Sequence, residues 1–149
     1  KVMEKKKVAD VFGDDWERIT LVERKLTAAL HHPLLINLAY SFQNIRFLLL
    51  VMDCCHGGDL EDFGRNGKDR LTSAQVRFVG LEVCSVLIHL HEQCIMFRDI
   101  KPQNCLLDDM GHVRLIDFGI AEQGDVANGV RPMSGTECGS GVYVAPEVK

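Results

Sequence analysis

The run Phe97-Arg98-Asp99-Ile100-Lys101-Pro102-Gln103-Asn104, followed by Asp117-Phe118-Gly119, constrains this chain more than any other feature. Its side chains act together only in a fold that brings both stretches to one place. Asp99 stands five residues before Asn104, and Asp117 opens a second acidic loop. One carboxylate is then available for a hydroxyl proton, while an amide and a second carboxylate can hold magnesium. These are the parts that phosphoryl transfer requires, and the pattern is recognised here rather than deduced from spacing alone.

The flanking segments predict the frame. From Asp14 to Leu30 the apolar residues Ile19, Val22, Leu26, Ala29 and Leu30 recur at helical spacing, and Asp14 with Glu17 has the form of a capping box. Glu23 lies on that apolar stripe, so its carboxylate points toward the body of the protein and needs a cation there. Leu34 to Phe42 and Phe47 to Met52 read as strands joined by Gln43-Asn44-Ile45-Arg46. Gly57-Gly58 breaks the chain before Asp59, a helix cap. Thr72 with Gln75 forms a second capping box, opening a long helix with Val76, Val79, Val83, Val86, Leu87 and Leu90 on one face. Cys105-Leu106-Leu107 and Val113-Arg114-Leu115-Ile116 read as short strands joined by Asp108-Asp109-Met110-Gly111, which places Asn104 and Asp117 at neighbouring strand ends. Gln123 to Gly141, rich in glycine and polar residues, reads as a mobile loop.

Composition removes several alternatives. A net charge of −4 gives no basic field for nucleic acid, and Lys5-Lys6-Lys7 reads as a solvated loop. The six cysteines form no Cys-x-x-Cys pair and read as reduced, intracellular thiols of a cytoplasmic protein. Cys54 and Cys55, being adjacent, do not easily share a tetrahedral metal site and are assigned to packing. The longest apolar run, Phe47 to Met52, falls far short of the ~20 residues of a membrane span, so none is expected. The chain begins at Lys1 without an initiator methionine and stops at Lys149, so it reads as an excerpt of a longer protein.

Two further strings extend the catalytic pattern: Val51-Met52-Asp53-Cys54-Cys55-His56-Gly57-Gly58-Asp59-Leu60 and Cys138-Gly139-Ser140-Gly141-Val142-Tyr143-Val144-Ala145-Pro146-Glu147. With these, the chain resembles the eukaryotic protein kinases, specifically serine/threonine kinases of the AGC group, in which an aromatic residue such as Phe97 is common before the arginine. The resemblance implies an α+β, bilobal kinase fold in truncated form. Residues 1–149 would be a partial kinase domain: 1–52 a remnant of the small lobe, 53–59 the hinge, and 60–149 the start of the large lobe through the activation segment.

It also implies ATP as co-substrate and Mg2+ as cofactor. Asp99 would orient and deprotonate the substrate hydroxyl, Lys101 neutralise the transferring phosphate, and Asn104 and Asp117 hold magnesium. Lys1 would grip the nucleotide phosphates and pair with Glu23, although no strand precedes Lys1 to fix it. Asp53 and Cys55 would offer backbone bonds to adenine, Met52 would be the gatekeeper, Leu106 the apolar floor, and Asp59 a partner for ribose or a basic substrate residue. Arg98 would receive a phosphate on Thr136, and the Ser140 hydroxyl would bridge Asp99 and Lys101.

Several residues depart from that pattern. Glu122 would repel a phosphate, Gly141 loosens the substrate-binding loop, and Gln103 removes one attraction for substrate arginine. Thr27 is small and polar in a column with Leu38, Phe97 and Phe118. The expected partners are protein substrates bearing Ser or Thr and an upstream activating kinase. A pseudokinase or scaffold, or an inactive fragment from an incomplete gene model, is the competing expectation.

Overall fold

A computed structural model of the chain describes residues 1–65, 70–130, 132 and 139–146. Thr136, Cys138 and Glu147 lie outside the described residues, as does most of the expected loop between Val130 and Gly139. The chain opens with strand β1 (Val2–Glu4) and helix α1 (Lys5–Phe12). Lys5-Lys6-Lys7 is therefore the first turn of a helix and not a loop. Gly13, at φ 58°, ends α1 in the left-handed region and donates its N–H to Ala9 O.

A single turn over Gly13–Asp15 leads into α2 (Trp16–Ala29). The capping box expected at Asp14 and Glu17 does not form. Asp15 already has helical backbone angles (φ −80°, ψ −5°), so it lacks the extended geometry of a capping residue, and its carboxylate instead accepts from Arg18 Nε at 3.0 Å. Glu23, Leu26 and Thr27 are the buried residues of α2, whereas Ala29 is exposed.

Strands β2 (Leu38–Gln43) and β3 (Phe47–Met52) form a hairpin, and β1 pairs on the other side of β3, giving an antiparallel sheet in the order β1-β3-β2. The Asn44 carboxamide oxygen closes the hairpin by accepting from Arg46 N and Phe47 N, each at 2.8 Å. Leu34 to Asn37, expected as part of β2, instead crosses to the second half of the molecule. There Leu34 O accepts from Leu115 N at 2.8 Å and Ile36 N donates to Leu115 O at 3.1 Å.

That second half begins with α3 (Leu60–Arg65), capped by Asp59, and the twenty-residue α4 (Ser73–Glu92). Thr72 and Gln75 form the expected reciprocal capping box. Beyond α4 come β4 (Ile95–Met96), β5 (Cys105–Leu107), β6 (Val113–Leu115) and β7 (Glu122–Gln123). β5 and β6 form the anticipated hairpin; the β4–β7 pair had no sequence signal, since each strand has only two residues.

One core joins these parts. Leu26 of α2 and Leu30 just beyond it, Val86 and Leu90 of α4, and Leu107, Val113 and Leu115 of the hairpin close around Phe97 and Phe118. Among the described residues α4 alone is long and apolar enough to cross a bilayer, with a mean hydropathy of 1.3 over its best window. Its apolar residues are spread around the turns, so contiguous runs did not reveal this. Val86 and Leu90 are sealed in the core, and Glu82 accepts from Val113 N at 2.8 Å, so α4 serves here as a packing helix.

Candidate active site

Lys1 lies at the edge of the sheet and exchanges two hydrogen bonds with Leu50: its amino nitrogen donates to Leu50 O at 2.8 Å, and its carbonyl accepts from Leu50 N at 2.9 Å. β3 thus fixes the residue that was expected to lack support. Lys1 Nζ stands 2.6 Å from Glu23 Oε1 and 3.1 Å from Asp117 Oδ1. Burial alone would lower the Lys1 ammonium, but the Glu23 and Asp117 carboxylates more than offset it and hold the amine above its ordinary value. Burial pushes the Glu23 carboxyl up, against the pull of Lys1. Glu23 does find a cation, and the pair links α2, the sheet and the second acidic loop.

β4 delivers the chain to Phe97, whose buried ring meets Phe118 edge-on at 5.3 Å and 86°. The residues on the far side of each ring adopt an uncommon backbone: Arg98 has φ 67°, and Asp117, just before Phe118, has φ 72°. Positive φ at a non-glycine residue costs about 1–3 kcal/mol and persists only where the surroundings enforce it. Here the edge-on Phe97–Phe118 contact and the flanking strands do so.

Asp99 is surrounded by donors. Its carboxylate accepts from Ser140 Oγ at 2.7 Å and Asn104 Nδ2 at 2.9 Å, and it pairs with Lys101 Nζ at 2.7 Å. Ser140 Oγ accepts in turn from Lys101 Nζ at 2.7 Å, so the hydroxyl lies between the two charges. Burial raises the Asp99 carboxyl, but the bonds from Lys101, Ser140 and Asn104 outweigh it and hold the group below the usual carboxylate range. It is ionised at neutral pH.

Asn104 is buried, and Ile116 N donates to its carbonyl at 3.0 Å, which sets it beside the strand leading to Asp117. Its amide nitrogen is committed to Asp99, bonding both the carboxylate and the backbone carbonyl at 2.9 Å. What Asn104 has left to offer is a neutral oxygen. Asp117 offers a partly exposed carboxylate, whose Oδ1 also accepts from Gly119 N at 3.2 Å. Two hard oxygen donors from adjacent strand ends fit magnesium, which takes few protein ligands.

Four of the residues assigned to the nucleotide, Met52, Asp53, Cys55 and Asp59, follow one another along the backbone. Met52 ends β3 opposite Leu38, and Asp53 spends its N–H on Asn37 O at 3.1 Å, so its carbonyl is the group left for a base. Cys55 is half-buried, and burial raises its thiol. Asp59 bridges Leu106 across the backbone while its carboxylate accepts from Asp62 N at 2.9 Å. Gly57 locks this segment onto β5: Gly57 N donates to Leu107 O at 3.0 Å, and a Cβ at Gly57 would sit 2.7 Å from that same oxygen. In the sequence the Gly57-Gly58 pair marks a break and part of the expected hinge, and the close approach to Leu107 is the physical reason for Gly57.

Arg98 was expected to face a phosphate. Its Nε donates to Ile120 O at 2.7 Å and a terminal nitrogen reaches Glu122 Oε2 at 2.6 Å. Thr27 Oγ1 bonds back to Glu23 O at 2.7 Å, so the polar group in the apolar column is satisfied. An open cleft of about 610 Å³ between α2 and the sheet, lined by Trp16, Thr20, Phe42 and Leu49 among others, contains none of the residues around Asp99.

Two ammonium groups, an ionised carboxylate and a pair of oxygen donors on strand ends can offset phosphate charge, hold a cation and take a hydroxyl proton, which are the requirements of phosphoryl transfer. The site sits between a small antiparallel sheet and a helical second half. The chain belongs to the protein kinase domain family, which it matches over residues 1–148. It is similar to the RAC family serine/threonine-protein kinase homolog of Dictyostelium discoideum, at 40% identity over 130 residues, covering 87% of this chain and 28% of the relative. It is 40% identical over 139 residues to protein kinase C eta type of Mus musculus, covering 93% of this chain and 20% of that protein. G protein-coupled receptor kinase 2 of Drosophila melanogaster is 37% identical over 150 residues, with 99% and 20% covered. The chain thus spans between 20% and 28% of the length of these relatives.

Proposed function

We propose that the full-length protein containing this chain is a serine/threonine kinase that transfers the γ-phosphoryl group of ATP to hydroxyls of protein substrates. The observation that carries this reading is the hydrogen-bonded set Asp99, Lys101, Asn104 and Ser140 beside the Lys1–Glu23–Asp117 chain. Residues 1–52 act as part of a small lobe, 53–59 as the hinge and 60–149 as the start of the large lobe.

The substrate hydroxyl oxygen bonds to the γ-phosphorus as the bond from that phosphorus to the β–γ bridging oxygen breaks. Asp99 orients the hydroxyl and receives its proton. Its depressed pKa makes it a weak base, so the proton moves late, when the oxygen has given its electrons to phosphorus. Lys101 offsets charge on the moving group, and Lys1, kept cationic by Glu23 and Asp117, sits at the phosphates. Asn104 and Asp117 would hold magnesium, which would supply Lewis-acid neutralisation of phosphate charge. Asp53 and Cys55 meet adenine through backbone groups, with Met52 and Leu106 bounding the base and Asp59 near the ribose or a basic substrate residue.

The thiols described as free, two of them exposed, support a reducing, intracellular setting, which we take to be the cytoplasm. Modification of Thr136 by an upstream kinase is a separate input that this reading does not need. The test is phosphate transfer from ATP to a Ser/Thr peptide by the full-length protein beside Asp117→Ala. Loss of at least about a hundredfold in rate is expected, the scale of removing one group that stabilises transition-state charge; equal rates in both would sink the assignment of Asp117.

A further inference from the structure

The short β4–β7 pair sets Met96 opposite Glu122, so the strand that leads into Arg98-Asp99 and the strand that follows Asp117-Phe118-Gly119 run side by side. Arg98 turns at φ 67°, and its guanidinium crosses back to this second strand, donating to Ile120 O at 2.7 Å and to Glu122 Oε2 at 2.6 Å. Cys94 O accepts from Gly124 N at 2.8 Å just beyond. Arg98 is 19% exposed and Glu122 39%, so the pair is partly withdrawn from water and its charge-assisted bonds are stronger than those of a surface pair.

Resting on the kinase reading above, we propose that Glu122 is a positioning residue for phosphoryl transfer. It anchors Arg98 and so fixes the loop bearing Asp99 against the loop bearing Asp117. Glu122 itself touches no reacting atom. Because its carboxylate is part of the chain, the anchor needs no covalent modification. The sequence pattern alone casts Glu122 only as a repellent for phosphate, but the register of β4 and β7 makes it an anion that Arg98 engages. Misplacement of two catalytic carboxylates by a fraction of an ångström affects turnover more than nucleotide affinity, since the contacts to the adenine base lie on other elements.

The experiment uses the full-length, unphosphorylated protein and steady-state kinetics with ATP and a Ser/Thr peptide. Glu122→Gln, nearly isosteric, is expected to lower kcat about tenfold with KM for ATP within twofold, and Glu122→Asp to recover at least half of the loss. Sulfate at tens of millimolar, supplying an anion to Arg98, is expected to raise kcat of Glu122→Gln at least threefold while leaving wild type unchanged. Arg98→Met and the Arg98→Met/Glu122→Gln double variant should be equally slow, because the second change removes an anchor already lost. Additive losses in that cycle, or a Glu122→Gln enzyme with wild-type kcat, would overturn the proposal. So would a fall in kcat explained by a lowered melting temperature and untouched by sulfate. Absence of transfer by wild type together with all variants would instead reject the kinase reading itself.

Discussion

At the scale of single residues, two histidines respond to acid in opposite directions. His112 Nδ1 lies 2.6 Å from Glu82 Oε1, and the hydrogen bond to Glu82, with its charge, raises the imidazole above its ordinary value. His32 Nδ1 accepts from Leu34 N at 3.1 Å, and its ring stacks against His89 at 4.8 Å; burial, with the charge of His89, lowers it. The stability that His32 contributes is full above the unfolded value of about 6.5 and is lost as pH falls through its depressed folded value. That from His112 is full below about 6.5 and is lost as pH rises through its raised folded value. An NMR titration is expected to show His32 with the lower midpoint and His112 with the higher; the reverse order would refute both partner assignments. Thiols divide in the same way. Burial pushes Cys105 up to about 11, whereas Cys54 and Cys84 are exposed. Iodoacetamide near neutral pH should alkylate the exposed pair and reach Cys105 only after denaturant, as judged by mass spectrometry of peptides. The residues of the candidate site were legible because motif spacing is local: Asp99 and Asn104 share a loop, and Asp117 follows one short hairpin. The Arg98–Glu122 pair was not legible, because it depends on the register of strands 26 residues apart at Met96 and Glu122.

At the scale of elements, two similar sequence patterns had different fates. Thr72 approaches α4 in an extended conformation (φ −66°, ψ 159°) and completes its box with Gln75. Asp14 and Glu17 carry the same spacing, but the chain reaches them from α1 through a helical turn, which rules out the extended approach. A capping pattern in sequence therefore needs a break before it. Replacing Thr72 by Ala is expected to cost about 1 kcal/mol, read as a lowered urea midpoint with unchanged slope. An unchanged midpoint would mean that the box adds nothing to α4. The β2 boundary was misplaced because Leu34, Leu35 and Ile36 are apolar in sequence for a different reason: Leu35 and Ile36 are buried against the β5–β6 hairpin rather than paired in the sheet.

For the whole molecule, what the sequence could not show is how much of α4 stays uncovered. Its inner face is sealed by Val86 and Leu90, yet Val76 is 54% exposed, Ile88 60% and Leu81 71%. A helix apolar all round belongs inside a larger body, and an uncovered apolar surface promotes association. The 149-residue chain is expected to self-associate in sedimentation experiments. Leu81→Lys with Ile88→Lys should restore monomer without changing helix content, while unaltered association would place the sticky surface elsewhere. The paired bonds of Leu34 and Ile36 to Leu115 have a mechanical consequence. They pin the chain just after α2 to a strand two residues ahead of Asp117, so α2 behaves as a lever hinged at its C-terminal end. Glu23 rides roughly 9 Å along that lever from Ala29, at 1.5 Å per residue. A tilt of about ten degrees would swing it by ~1.5 Å, enough to stretch the 2.6 Å contact with Lys1 beyond hydrogen-bonding reach.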